Sequence, residues 1–161
     1  MNIFDFAIEK EKLSENYYRT LAQKTGHKGL RNIMLMLADE EAKHIQVVTQ
    51  LKENIEPELA KSALLVNVKA VFQKMRDAAD KFDLNVSEVE MYQKAREIEK
   101  QAKSFYQEKA DEVEDIAQKK IFNLLAAEEQ KHYFLLDNIV EFVSRPQQWL
   151  EDAEFFHLEE Y

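Results

Sequence analysis

The chain has no cysteine among its 161 residues, so disulfides, thiolate metal sites, iron–sulfur clusters and an iron site built from four cysteines are all excluded within it. Any protein that feeds it electrons must be a separate molecule. Glycine and proline are nearly as scarce, at two residues each. So few breakers cannot punctuate a many-stranded sandwich or barrel, and the abundance of Ala, Glu, Lys, Leu and Gln is the composition of long helices. No run approaches the ~18 uninterrupted apolar residues of a membrane-spanning helix. The opening MNIFDFAIEKEK has acidic residues in its first turns and no apolar core before a cleavage site. The expectation is a cytoplasmic protein without membrane contact. A basic excess is also lacking: the net charge is −9, which disfavours nucleic acid phosphates and anionic lipid surfaces as partners. At this length one domain is the default, large enough to bury a core without disulfides or structural zinc.

The rare breakers mark helix ends. Gly26 and Gly29 lie in KTGHKGL, where they are expected to supply a positive-φ helix end and the turn that follows. Pro57 and Pro146 close two further runs. Ser87 with Glu90 reads as a capping box, flanked by Val86 and Met91 as a hydrophobic staple. These marks predict bundle helices over 2–24, 29–55, 88–112 and 116–144. Between the second and third, Leu64, Leu65, Val68, Val71, Phe72, Met75, Ala79 and Phe82 recur at helical spacing. They predict an amphipathic helix over 58–83, about 39 Å long, which would run the length of a bundle as a crossover. Residues 1–145 then form the bundle and 146–161 a tail. Its Trp149, Leu150, Phe155, Phe156 and Leu158 are expected to dock back on the bundle or to meet a partner, most simply in a homodimer.

Comparing the chain with itself at an offset of 88 residues reveals an internal repeat. AIEKEKLSENYYRTLA at 7–22 lies over AREIEKQAKSFYQEKA at 95–110, aligning Ala7 with Ala95, Glu11 with Glu99 and Tyr18 with Tyr106. Without a gap, LADEEAKHIQVVTQL at 37–51 lies over LAAEEQKHYFLLDNI at 125–139, which brings the scarce His44 and His132 into register. Shared helical composition scatters Glu and Lys matches. It does not readily align the histidines as well.

Glu41 and His44 are three residues apart, as are Glu129 and His132, so each pair leaves one helical face. The neighbours Met34, Leu37, Ala38, Ile45 and Val48, and Phe122, Leu125, Ala126, Tyr133 and Leu136, mark that face as inward. Ionisable groups there are costly to bury unless paired, protonated or coordinated. Glu11 stands 30 residues before Glu41, and Glu99 the same distance before Glu129. One Glu from each of two helices and Glu-x-x-His from each of two others is the ligand pattern of ferritin-like two-metal bundles. Four carboxylates and two imidazoles suit two divalent iron ions, manganese or a mixed pair, and their formal charge balances two such cations. Tyr18 and Tyr106, seven residues after the paired glutamates, are placed either to hydrogen-bond ligand carboxylates or simply to fill the core. Glu15 lies opposite Lys103 in the repeat and reads as surface. His27 reads as a cap or surface residue, and His157 as part of the aromatic tail.

These two half-motifs resemble the rubrerythrin branch of the ferritin-like superfamily over nearly the whole chain, and they match its di-iron domain only. The resemblance implies an all-α, up-down-down-up four-helix bundle with a long helical crossover. It implies Glu11, Glu41, His44, Glu99, Glu129 and His132 as metal ligands, with Glu41 and Glu129 bridging and no separate catalytic residue. It implies a di-iron oxidoreductase that reduces peroxide or dioxygen with electrons from an external donor such as a rubredoxin. Two features depart from the family pattern. A cysteine-bearing rubredoxin domain is not expected, since the chain ends at Tyr161 without one, and Ala102 stands where the family has a further glutamate one turn after the third-helix ligand. Two other readings share these residues: a ferritin-type ferroxidase that stores iron in a shell, and a metal-free helical interaction module whose tail recruits a partner.

Overall fold

The computed structural model describes residues 2–152 and 154–160; Met1 of the predicted bundle and Ala153 and Tyr161 of the predicted tail lie outside the described residues. Six α-helices follow one another: α1 (Ile3–Lys24), α2 (Lys28–Lys52), α3 (Leu64–Asp77), α4 (Val86–Glu112), α5 (Ile116–Ser144) and α6 (Pro146–Glu151). A 3₁₀ segment, Glu154–Glu160, ends the described chain, and no strand occurs among the described residues. Nor is any helix long and apolar enough to cross a membrane.

Helices α1 and α2 form one hairpin, α4 and α5 the other. Contacts across the bundle give the directions. Tyr18 of α1 meets Glu99 of α4 while Glu11 meets Tyr106, so residue numbers rise along one helix as they fall along the other. His44 with Glu129 and His132 with Glu41 do the same for α2 and α5. The order is therefore up-down-down-up, as expected. Because α2 and α4 run parallel, the chain must travel back along the bundle between them, and α3 lies in that connection.

The repeat persists in the boundaries. α1 ends at Lys24 and α4 at Glu112; α2 starts at Lys28 and α5 at Ile116. Each pair is separated by the same 88 residues. In both hairpins the residue before the second helix caps it: His27 Nδ1 accepts from the amides of Gly29 and Leu30 at 3.1 and 3.4 Å, and an Asp115 carboxylate oxygen accepts from Gln118 at 2.9 Å. Glu114 occupies the place of Gly26, and neither glycine has a positive φ. The expected glycine turn is thus corrected to an extended three-residue link any side chain can adopt. At Gly29 a Cβ would meet Met75 Cε of α3, the far end of a flexible side chain, which would have to shift.

The crossover is shorter than predicted. Helix α2 stops at Lys52 and α3 covers 14 residues, about 21 Å rather than 39 Å. Both ends are Schellman turns: Ile55 N bonds Gln50 O and Asn54 N bonds Leu51 O, with Asn54 at φ 60°. After α3, Asp80 N bonds Met75 O and Ala79 N bonds Arg76 O, with Ala79 at φ 49°. Apolar periodicity runs through Ala79 and Phe82 although the helix does not. Phe82 still packs, edge to face on Phe142 of α5 at 5.0 Å. The expected Ser87 capping box is also absent. Val86 opens α4 and Asn85 caps it, accepting from Glu88 N at 2.8 Å.

Two apolar clusters fill the interior. One, around Leu21, Leu30, Met34, Phe72 and Phe142, is closed by the tail residues Trp149, Leu150, Phe155 and Leu158, all buried. The other joins Ala7, Val48, Phe105, Tyr106 and Phe122. A layer of ionisable groups lies between them. Pro146 does not simply end α5: Arg145 breaks the helix at φ −150°, and Pro146 starts α6.

Ala79 is a β-carbon held in the left-handed region, where L-residues are disfavoured by roughly 1–2 kcal/mol. Ala79→Gly is expected to raise unfolding free energy by about 1 kcal/mol. Urea titration of the two proteins measures this, and an unchanged or lower midpoint would contradict the strain.

Candidate metal centre

The four bundle helices bring the six half-motif residues to the same level. Glu41 and His44 leave the inward face of α2 between Leu37, Ala38 and Val48, and Glu129 and His132 leave α5 between Leu125, Ala126 and Leu136, all buried. Val47 and Leu135 are buried in these stripes, whereas Ile45 and Tyr133 are only partly so. Glu11 from α1 and Glu99 from α4 complete the layer. None of the six is more than 2% exposed.

The contacts are crosswise. His44 Nδ1 is 2.9 Å from Glu129 Oε1, and His132 Nδ1 is 3.1 Å from Glu41 Oε1. The two imidazoles are stacked, 5.6 Å apart and 5° from parallel. Tyr18 OH donates to Glu99 Oε1 at 2.5 Å, and Tyr106 OH donates to Glu11 Oε1 at 2.6 Å. Both tyrosines are buried, so each fills the core and also orients a carboxylate. Glu15 accepts from Arg19 Nε at 2.8 Å, away from the layer.

Two overlapping groups emerge whose ligand atoms lie within 4.8 Å of one another: Glu11, Glu41, His44 and Glu129, and Glu41, Glu99, Glu129 and His132. Glu41 and Glu129 belong to both. Six of the buried side-chain atoms of the described residues have no hydrogen-bond partner, and five are here: Oε2 of Glu11, Glu99 and Glu129, and Nε2 of His44 and His132. Unpartnered carboxylate oxygens at such depth are costly unless a cation meets them, so the donor set fits a pair of hard-to-borderline divalent ions.

Protonation follows from burial and neighbours. Burial alone would raise Glu11, but hydrogen bonding with Glu41, the charge and hydrogen bond of His44 and the Tyr106 hydroxyl hold it at about 2. Burial likewise opposes Glu99, yet His132, Glu129 and Tyr18 hold it at about 2. Glu41 and Glu129 are pushed well above the carboxylate range, by burial first and then by the surrounding carboxylates. Burial lowers the histidines, but the facing carboxylates outweigh it, raising His44 and bringing His132 to about 10. Burial and like charge thus favour the neutral forms of Glu41 and Glu129, while the facing carboxylates favour the charged forms of both imidazoles.

Sequence reasoning did not single out Glu40. It is buried beside Glu41 and accepts from Ser62 Oγ at 2.5 Å, while Ser62 Oγ also accepts from Leu64 N at 3.0 Å. This ties the start of the crossover to α2. The repeat partner of Glu40, Glu128, does not signal this contact, because Ser62 lies in the stretch that the repeat omits.

Substitution separates the two kinds of carboxyl. In chelator-treated protein at pH 7, Glu41→Gln puts a neutral isostere where burial and like charge favour the neutral carboxyl, and should change stability by no more than about 1 kcal/mol. Glu99→Gln strips the His132 imidazolium of its counterion and should cost about 3–5 kcal/mol. Urea unfolding compares them, and equal losses would show that charge is not divided this way.

The comparisons agree with this geometry. The family model for rubrerythrin matches residues 2–140. No curated protein and no solved structure matches the chain. With a match over most of its length, both half-motifs and the up-down-down-up bundle in place, the chain belongs to the rubrerythrin family.

Proposed function

We propose that the buried layer holds two iron ions and that the protein is an oxidoreductase which reduces peroxide or dioxygen with electrons from an external donor protein. The observation that carries this reading is the pair of ligand groups sharing Glu41 and Glu129. Glu11 and His44 would complete one ion's set, Glu99 and His132 the other's, with Glu41 and Glu129 serving both. Held there, two ferrous ions would supply the two electrons needed to reduce peroxide, with two protons, to two water molecules. Manganese or a mixed pair would suit the same oxygen and nitrogen donors.

The chain's own residues supply position and enclosure. The Tyr18 and Tyr106 hydroxyls occupy Oε1 of Glu99 and Glu11 and leave Oε2 of each without a protein partner. They thereby fix how those carboxylates present themselves. Leu37, Ala38, Leu125 and Ala126 wall the layer and exclude bulk water. Such burial admits a small oxidant and no bulky substrate. Donor residues must shed any protons they hold to ligate, so uptake of divalent ions releases protons from groups whose neutral carboxyl or charged imidazole form the layer favours.

Anaerobic loading with ferrous iron should give about two ions per chain, and content below about one would overturn the two-metal reading. Glu129→Ala removes a ligand common to both ion sites, so it should lower total occupancy by more than Glu11→Ala does; plasma emission analysis after desalting reads this.

Stopped-flow mixing of the ferrous protein with peroxide, and separately with oxygen, tests the reaction. Oxidation well above the rate of free ferrous iron is expected with at least one of them. Rates no faster than free iron with both would end the catalytic reading. Light scattering adds a control, because a many-subunit shell would favour iron storage instead.

A further inference from the structure

We propose that the outer groove between α1 and α4 is where the electron donor docks, and that the donor is a small protein with an acidic face. This rests on the oxidoreductase reading above and names the partner surface for the same centre. Phe6 and Phe105 form the groove floor, their rings 5.5 Å apart, and Phe6 is 44% exposed although it is a large apolar side chain. Lys10 Nζ sits 5.2 Å from the Phe6 ring and 5.5 Å from Phe105, and Lys109 Nζ is 5.7 Å from Phe105. Lys100 lies on the same rim.

Charge selects the occupant. The rim carries three lysines against Glu97 and Glu108, with Lys109 also 3.0 Å from Glu112, on a chain whose net charge is −9. An acidic protein is repelled by most of this surface and drawn to the lysine rim, which would orient it. The apolar floor suits a small, transient interface.

The groove is also continuous with the centre. Phe105 packs edge-on against Tyr106 at 5.3 Å and is its chain neighbour, and Tyr106 OH donates to Glu11 Oε1 at 2.6 Å. Two ring contacts and one hydrogen bond therefore link solvent to a ligand carboxylate. The repeat supplies an internal contrast. At the equivalent place on the other half, Lys94 replaces Phe6, Tyr17 replaces Phe105 and Ile98 replaces Lys10. There Lys94 Nζ lies 5.8 Å from the Tyr17 ring, and the Tyr17 hydroxyl donates to Met91 O at 2.8 Å. The donor gives one electron per encounter, and two encounters restore the two electrons that peroxide takes up with two protons to form two waters.

The test uses the full iron-loaded chain, reduced rubredoxin as the probe donor, reduced methyl viologen as a small reductant, and saturating peroxide. The double variant K10E/K100E should raise the rubredoxin KM about tenfold relative to its own rate with viologen. K24E, at the far end of α1, should leave the rubredoxin rate unchanged. The docking surface is overturned if the K10E/K100E KM stays within about twofold of K24E, or if rates with both reductants fall equally. It is also overturned if a wild-type dimer dissociates in K10E/K100E, because the groove is then a contact between copies. Single-turnover oxidation of the ferrous protein by peroxide needs no donor and tests the underlying reading separately. If that step proceeds and the KM does not move, only the docking surface falls.

Discussion

Six ionisable side chains share the middle of an apolar bundle, and charge balance within that layer constrains everything around it. Each carboxyl group of the layer finds a hydrogen-bond partner on a different helix: Glu11 on Tyr106, Glu99 on Tyr18, Glu41 on His132 and Glu129 on His44. An unpaired charge at this depth costs several kcal/mol. A slip of one helical turn, about 5.4 Å, would separate at least two of these pairs. The cluster therefore sets the register of all four helices, a task that interchangeable apolar contacts perform less sharply.

Twofold character ends where the crossover begins. The hairpins share their boundaries and their capped three-residue links, but α3 and the tail close only one end of the bundle. Phe72 anchors that closure, in ring contact with Phe142 at 5.1 Å, Trp149 at 4.7 Å and Phe155 at 6.3 Å. The opposite end keeps the smaller cluster around Phe105, Tyr106 and Phe122. Two nearly equivalent half-sites thus sit in unequal surroundings. The proposed route for electrons follows from that inequality, since the Tyr106 side reaches solvent through the Phe105 and Phe6 rings beside Lys10 and Lys109, whereas on the other half Lys94 lies over Tyr17, whose hydroxyl is held by Met91 O.

Much of the centre was legible in the chain because duplication gives its own check. A single Glu-x-x-His is common, whereas two copies with both upstream glutamates at one spacing are not. Tyr18 and Tyr106 were legible as inward residues, but their role as donors to the glutamate of the opposite hairpin depends on how α1 and α4 meet. Where no second copy existed, the reading was weaker. Ala79 and Phe82 continue an apolar rhythm past the end of α3, because packing repeats at helical spacing even after the backbone has turned. Ser87 and Glu90 had the composition of a capping box, yet Asn85 lies two residues earlier and captures the end of α4. Glycine scarcity pointed to Gly26 and Gly29 as turns, while the hairpins use extended links and Asn54 and Ala79 take the left-handed positions.

What the sequence determined by itself was the helical class, the duplicated hairpin and the six residues that share one level, since periodicity and spacing act along the chain and need no knowledge of packing. Tertiary structure decided which helix faces which, how the crossover is divided, which carboxyls keep their protons and which face of the bundle stays open. Those outcomes depend on distances between residues as far apart in sequence as Glu11 and Tyr106. Dielectric, charge and ring contacts act through space, and only the folded chain brings such groups within their range.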